Sequence, residues 1–368
     1  MDDGAYMRRA LKLAEKGMGW TSPNPMVGAV IVKNGRIIGE GYHLRYGEKH
    51  AERNALDSCR ESPTGAVMYV TLEPCCHYGK QPPCVEAILE AGIRRVVIGS
   101  SDPNPKVSGK GVRILREHGV EVTEHVEEAA CDALNQIFFH YIRTGQPYVA
   151  MKYAMTMDGK IAAYTGKSKW VTGTKAREHV QRLRQQYSGI MVGMGTVLAD
   201  DPSLTCRIRG GKNPVRIICD SMLRTPLESR LIETAGEVPT ILATACKDPS
   251  RFRVYQDKGC RVLTVPGADG RVDLQELVRT LGRMEIDSIL LEGGGTLNWS
   301  ALRSGIVQKV FCYMAPKLFG GAKAKTPVEG SGCADPDEAV KIKEIKIRQI
   351  GEDYLMEGMV DRDVYRDH

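Results

Sequence analysis

The sequence predicts an α/β protein built as two domains. Its 368 residues exceed one ordinary core, since about 150 residues per domain is the usual scale. Helix-spaced apolar segments alternate with short apolar runs of strand length, the pattern of mostly parallel sheets covered on both faces. Between them Arg143-Thr144-Gly145-Gln146-Pro147 has the Gly/Pro composition of a linker, which separates residues 1–145 from residues 146–368.

In the first half, Ala5 to Lys16 carries Met7, Ala10, Leu11 and Ala14 at helical spacing and stops at Gly17. Val27 to Val32 and Arg36 to Tyr42 are strand-like runs joined by Asn34-Gly35, a strong short hairpin signal. Ala51 to Cys59 reads as a helix, Val67 to Leu72 as a buried strand, Val85 to Ala91 as a helix closed by Gly92, and Arg95 to Ile98 as a strand. A helix over Gly109 to His118, a short strand at Val120-Glu121-Val122 and a helix over Glu124 to Tyr141 complete the half.

His50-Ala51-Glu52, then Glu73-Pro74-Cys75 and Cys84, read as a hydrolytic zinc site. A catalytic zinc takes three protein ligands and leaves its fourth position to water, and one imidazole with two thiolates meets that count. His-x-Glu followed by Pro-Cys and a second Cys is the signature of zinc nucleobase deaminases, whose glutamate moves protons and is no ligand. His50, Cys75 and Cys84 are therefore the expected zinc ligands, and Glu52 is the expected proton carrier. Helix N-termini at Cys75 and near Cys84 favour thiolates, and bound zinc lowers the pKa of its water toward about 7. A purely structural zinc would want a fourth protein ligand, for which Cys76 and His77 are the candidates. Cys76 reads as a packing residue, because adjacent residues rarely both face one ion, and His77 is free to point at substrate.

The usual short Cys-x-x-Cys is stretched here, with the eight residues Cys76 to Pro83 between Cys75 and Cys84, so a loop overhangs the site. That loop, Pro23-Asn24-Pro25-Met26-Val27-Gly28 and Ser101-Asp102-Pro103-Asn104-Pro105 resemble the deaminase domain of the bifunctional riboflavin-biosynthesis deaminase/reductases. The resemblance implies a cytidine-deaminase-like three-layer αβα domain and substrate contacts from Asn24, His43, His77, Lys80, Asp102 and Asn104. Read from the residues alone, Lys80 on a Gly/Pro loop suits an anion or plain solvation. Asp102 and Asn104 between prolines suit turn positions equally well.

The second half restarts with a strand from Pro147 to Ala154. Further strands are expected at Gly189 to Val192, Val215 to Cys219, Thr240 to Ala243, Arg261 to Val265, Ser288 to Leu291 and Val307 to Met314. Helices are expected over Lys175 to Tyr187 and Leu274 to Leu281, and residues 341–347 with 354–360 form a closing antiparallel pair across Gly351-Glu352-Asp353. Leu291-Glu292-Gly293-Gly294-Gly295-Thr296 runs from a strand through glycines into a helix over Thr296 to Arg303, a junction that cradles phosphates. Neither it nor Gly193-Met194-Gly195-Thr196 carries the G-x-G-x-x-G fingerprint, and Gly166-Lys167-Ser168 fails as a P-loop because Ile161 replaces its first glycine.

Met155 to Ala162, Trp170-Val171-Thr172, Val192 to Thr205 and Glu292 to Gly295 resemble the reductase half of the same family. The resemblance implies a dihydrofolate-reductase-like α/β domain with NADPH as hydride donor. It implies that Ala154, Trp170, Thr196, Asp200, Ser221, Gly294, Gly295, Thr296, Leu297, Asn298, Trp299 and Ser300 line the dinucleotide, while Ser168, Arg184, Leu204, Arg207 and Glu292 hold the ribose phosphate. A guanidinium fork matches phosphate oxygens, which suits Arg184 and Arg207, though surface solvation would explain either, and Lys152 at a strand end could orient or polarise the sugar.

Composition narrows the partners. With 42% hydrophobic and 26% charged residues and no apolar run near the roughly 20 needed to span a bilayer, a membrane protein is not expected. Asp2 and Asp3 at the start do not resemble a signal peptide, and eleven scattered cysteines suit free thiols, so a cytoplasmic protein is expected; a homo-oligomer is expected too, on no pattern in the sequence. The net charge of +6 is dispersed, which gives nucleic acid little support and is equally compatible with an anionic small substrate, and the resemblance implies a phosphorylated pyrimidine. The rival readings are a zinc deaminase acting on RNA, disfavoured by only five phenylalanines and no basic cluster near the motif, and an inactive binding protein with a structural zinc.

Overall fold

The computed structural model describes residues 2–361; the outer ends of the two expected domains, Met1 and residues 362–368, lie outside the described residues. The chain divides into two compact units, one ending at Gly145 and the other starting at Gln146.

The first unit runs α1 (Asp3–Ala14), β1 (Gly28–Lys33), β2 (Arg36–Tyr42), α2 (Ala51–Asp57), β3 (Val67–Leu72), α3 (Cys84–Glu90), β4 (Arg95–Ser100), α4 (Lys110–Glu117), β5 (Glu121–Thr123), α5 (Glu128–Leu134) and α6 (Gln136–Thr144). Its sheet order is β2-β1-β3-β4-β5. Four strands run one way and β1 alone is reversed, because Asn34-Gly35 turns it straight back into β2. Both turn residues have positive φ, 50° and 74°, as a type I′ hairpin requires. Strand alternation splits the core between the two faces. Val30, Val32, Tyr69 and Val97 pack with Tyr6, Met7 and Ala10 of α1 and Cys131 of α5, while Ile31, Met68, Val70, Val96 and Ile98 pack with Ala55, Ile88, Leu115, Phe138 and Phe139. The result is a three-layer αβα unit. The helix expected over residues 124–141 is broken at the buried Asn135, whose side-chain amide exchanges hydrogen bonds with the backbone of Met26 at 2.9 and 3.0 Å.

The second unit runs β6 (Tyr148–Thr156), α7 (Thr174–Gln186), β7 (Gly189–Gly193), α8 (Met194–Asp200), β8 (Val215–Cys219), α9 (Arg230–Glu233), β9 (Thr240–Thr244), α10 (Arg253–Gln256), β10 (Arg261–Thr264), α11 (Leu274–Arg283), β11 (Ser288–Leu291), α12 (Gly295–Arg303), β12 (Val307–Ala315), β13 (Ile342–Ile350) and β14 (Asp353–Val360). Its sheet order is β10-β9-β8-β7-β11-β6-β12-β14-β13, with β14 the one reversed strand. From β7 the chain winds outward through β8, β9 and β10, whereas from β11 it crosses β6 to β12. The winding direction therefore reverses between the neighbours β7 and β11. In an open α/β sheet such a reversal opens a crevice at the carboxyl ends of the strands, the usual place for a ligand.

Candidate functional site

In the first unit, the short helix α2 holds both motif side chains. His50 is its N-cap residue and Glu52 lies in its first turn. Gly41 lets α2 sit against β2, since a Cβ there would come within 2.3 Å of Ala55 N. Cys75 follows the end of β3, and Cys84 opens α3. The three donors converge: His50 Nδ1 is 3.5 Å from Cys75 Sγ and 3.3 Å from Cys84 Sγ, and all lie within 4.8 Å of one another. No other His, Cys, Asp or Glu joins this cluster among the described residues.

The neighbouring Cys84 and His50 lower the Cys75 thiol to about 4, while Cys75 and burial push Cys84 well above the usual thiol value. Cys75 in turn raises His50. One imidazole nitrogen and two sulfurs at this spacing fit a zinc ion. Glu52 is 4% exposed, and desolvation raises its carboxyl. It lies in the first turn of α2, beside His50, and is not one of the clustered donors.

Around this centre, Asn24 Nδ2 stands 3.3 Å from His43 Nε2, and His43 Nδ1 is 3.1 Å from Lys49 O. The buried His43 ring meets His50 edge-on with centroids 5.3 Å apart. His77 has a buried Nδ1 with no hydrogen-bond partner, and Cys76 Sγ turns away to Lys106 O at 3.6 Å. Lys80 is exposed, its ammonium 3.8 Å from the Tyr46 ring centroid. Asp102 accepts from Asn104 N at 2.8 Å, and Asn104 Oδ1 accepts from Lys106 N at 3.0 Å, so both side chains also serve as turn residues. Burial pushes the Asp102 carboxyl up to about 6.

Glu73, read in the sequence only as part of a turn, has a structural task. Its buried carboxylate accepts from Gly109 N at 3.0 Å, Gly111 N at 3.0 Å and Val112 N at 3.3 Å, tying the start of α4 to the Cys75 turn. Nothing near Glu73 in the chain signals this, because its donors, Asp102 N at 3.5 Å included, lie 29 to 39 residues away.

In the second unit, a groove of about 1800 Å³ follows the carboxyl ends of β6, β7, β8 and β11. It is lined by Lys152, Ala154, Ser168, Trp170, Arg184, Thr196, Asp200, Leu204, Arg207, Ser221, Glu292, Gly294, Gly295, Thr296, Leu297 and Ser300, all expected from the sequence. Asn298 and Trp299 are a correction: they lie on other faces of α12, Asn298 fully buried with Nδ2 donating to Pro327 O at 2.8 Å, and Trp299 Nε1 donating to Ser331 Oγ at 3.2 Å. Helical periodicity gives the reason, since a run of consecutive residues cannot share one face.

Glu292 lies at the groove floor between two cations. Arg184 donates Nε at 2.8 Å and a second nitrogen at 3.0 Å to its carboxylate, and Lys152 Nζ stands 3.5 Å away. Burial opposes its ionisation, yet the charges of Arg184 and Lys152 hold its carboxyl down at about 2. A further bond of Arg184, from Nη1 to Thr205 O at 3.2 Å, leaves its fork committed to protein. The Arg207 guanidinium, by contrast, is exposed and has no ion pair, hydrogen bond or ring partner among the described residues. Ser168 Oγ donates to Asp200 Oδ1 at 2.9 Å. Gly294 caps α12 with no capping side chain, and a Cβ on Gly195 would meet nothing within 4 Å, so this part of the floor is bare backbone open to a ligand. Phosphates fit such a floor.

A hydrolytic zinc centre on one α/β unit and a glycine-floored, cation-bearing crevice on the other define a two-domain enzyme of the deaminase and oxidoreductase classes. The comparisons agree. Residues 1–100 match the family model of the cytidine and deoxycytidylate deaminase zinc-binding region, and residues 147–356 match that of the RibD C-terminal domain. Riboflavin biosynthesis protein RibD of Actinobacillus pleuropneumoniae is 56% identical over 98% of this chain and 96% of its own, and that of Escherichia coli is 40% identical over 97% and 99%. Among solved structures, Acinetobacter baumannii RibD superposes with a TM-score of 0.88 at 35% identity, covering 98% of this chain and 99% of that one. A Thermotoga maritima protein titled diaminohydroxyphosphoribosylaminopyrimidine deaminase/5-amino-6-(5-phosphoribosylamino)uracil reductase gives 0.84 at 38%, with the same coverage. The chain belongs to the RibD family of bifunctional deaminase/reductases of riboflavin biosynthesis. No helix among the described residues is long and apolar enough to cross a membrane.

Proposed function

We propose that the first unit hydrolyses the C2 amine of 2,5-diamino-6-ribosylamino-4(3H)-pyrimidinone 5′-phosphate and that the second reduces the ribosyl chain of the product to ribityl with NADPH. The observation that carries this reading is the convergence of His50, Cys75 and Cys84, with the buried Glu52 in the first turn of the helix that His50 caps. Zinc held by those three donors would supply the Lewis acidity that makes water nucleophilic near neutral pH. Glu52 takes the proton from water on a carboxylate oxygen, and its desolvated site makes it a ready donor to the departing amine. Asn24 and His43, already bonded to each other, and the unpartnered Nδ1 of His77 read the pyrimidine, while Lys80, Asp102 and Asn104 shape the overhanging loops.

NADPH would supply the hydride in the second unit. The α12 N-terminus and bare glycines receive its phosphates, Arg207 and Ser168 take the ribose phosphate, and Lys152 orients the sugar. Arg184 acts through Glu292, fixing the carboxylate that holds Lys152. The free thiols suit a reducing cytoplasm, and exposed Ile347, paired with exposed Met356 on the outermost hairpin, suits self-association; nucleic acid has no part in the proposal.

Glu52→Gln tests the assignment. Ammonia release should fall about 10²- to 10⁴-fold while NADPH oxidation with the deaminated intermediate persists. Ammonia release within a few-fold of the parent chain would remove Glu52 from the role.

A further inference from the structure

We infer that Arg224 is the residue that selects NADPH over NADH, by binding the phosphate on the 2′ position of the adenosine ribose. The inference rests on reading the groove as the NADPH site.

β7 is followed by the glycine turn into α8, and the next strand in sequence, β8, is also its neighbour in the sheet. In dinucleotide folds that carry G-x-G-x-x-G, an acidic side chain past the next strand binds a free ribose diol and selects NADH, whereas an arginine nearby accepts the 2′-phosphate. This chain lacks that fingerprint, so the end of β8 is compared with that place by sheet position alone.

Asp220 occupies that place, immediately after Cys219 ends β8. Its carboxylate is 1% exposed and turned into the protein: Oδ1 accepts from Met222 N at 3.3 Å, and Oδ2 accepts from Arg224 N at 2.6 Å, Thr225 N at 2.6 Å and Thr225 Oγ1 at 2.8 Å. An acid buried and employed in this way is not presented to a ribose diol. The same hydrogen bonds fold residues 220–225 into a tight turn that fixes the backbone of Arg224. The Arg224 side chain is exposed and lines the groove, and its guanidinium has no ion pair, hydrogen bond or ring partner among the described residues.

Other arginines of the groove have partners: Arg177 with Thr172 O at 2.6 Å, Arg184 with Glu292, Arg230 with Asp201 at 3.1 Å, Arg271 with Asp269 at 3.9 Å and Arg303 over the Trp299 ring. Arg207 and Arg224, without a partner among the described residues, stand on different elements. Arg207 lies against α7, its backbone N donating to Gln181 Oε1 at 2.8 Å, while Arg224 lies beyond β8 beside Ser221. From β11, where α12 begins, to β8 is two strand spacings, about 10 Å. That span suits one dinucleotide with its pyrophosphate over α12 and its adenosine at β8. The groove thus has separate anion subsites for the ribose phosphate of the substrate, at Arg207, and for the 2′-phosphate of the cofactor, at Arg224.

Titration calorimetry on the full chain with 2′,5′-ADP, 5′-AMP, NADP⁺ and NAD⁺ tests this without turnover. The parent chain should bind 2′,5′-ADP about 10- to 100-fold more tightly than 5′-AMP, the scale of a charge-assisted contact, and the margin should shrink as salt rises. Arg224→Gln should erase the margin and leave 5′-AMP and NAD⁺ binding unchanged, and Arg224→Lys should restore part of it. Thermal unfolding of both variants should match the parent, because the exchanged group touches nothing in the protein. A parent chain that prefers 2′,5′-ADP, with Arg224→Gln keeping that preference, overturns the role of Arg224 alone. A parent chain that binds none of the four ligands overturns the dinucleotide site itself, and the inference with it.

Discussion

Glu292 is enclosed by protein and yet ionised, held so by Arg184 and Lys152. Its carboxyl lies at about 2 in the folded chain, below the roughly 4.3 of an unperturbed glutamate. A depressed carboxyl contributes stability that is present above the unfolded value and is lost as pH falls through the folded one. Unfolding free energy should therefore drop between about pH 4.5 and 2, and Glu292→Gln should lack that component. The same substitution leaves two largely buried cations without their counter-ion, a loss of about 3–5 kcal/mol at neutral pH. Urea unfolding across pH checks both, and an unchanged pH slope in Glu292→Gln would refute the ion triad. No local pattern marks this arrangement. The sequence marked Arg184 and Glu292 as site residues, but composition cannot tell a guanidinium facing phosphate from one facing a carboxylate 108 residues away.

At the level of elements, local chemistry was readable and long-range chemistry was not. Asn34-Gly35 announced its hairpin because only certain residues tolerate two successive positive φ values. The zinc ligands were readable because ligand type and spacing are set by the ion. The break between α5 and α6 was hidden, since Asn135 answers to Met26, 109 residues distant, and α8, in a gap between strands where a helix is expected, had no readable bounds because Gly193-Met194-Gly195 carries no helical period. Glu73 belongs with these. Its carboxylate replaces the missing N-cap side chain of α4, which starts after Gly109 at φ 74°. Glu73→Ala should strand three buried or half-buried amides and cost about 2–3 kcal/mol, more than an ordinary exposed cap. Chemical denaturation followed by a probe in the first unit measures it. A loss under about 0.5 kcal/mol would mean that the loop is held by other contacts.

On the scale of the whole chain, the chemistry is partitioned: the metal donors fall between His50 and Cys84, and the groove residues between Lys152 and Glu329. The two-domain reading was accessible from length and linker composition alone, whereas the groove depended on a strand order that no local pattern encodes. This partition makes metal removal a selective perturbation. Metal binding adds its free energy to the folded state that displays the ligands, so a strong chelator should lower the unfolding temperature of the first unit. The same treatment should abolish ammonia release. NADPH oxidation driven by supplied deaminated intermediate should stay within about twofold, because none of the groove residues contributes to the His50, Cys75 and Cys84 cluster. Restoring zinc should return ammonia release without altering the reductase rate. Parallel loss of both activities on chelation would show that the reductase groove depends on the metal, and the assignment of one reaction to each unit would have to be abandoned.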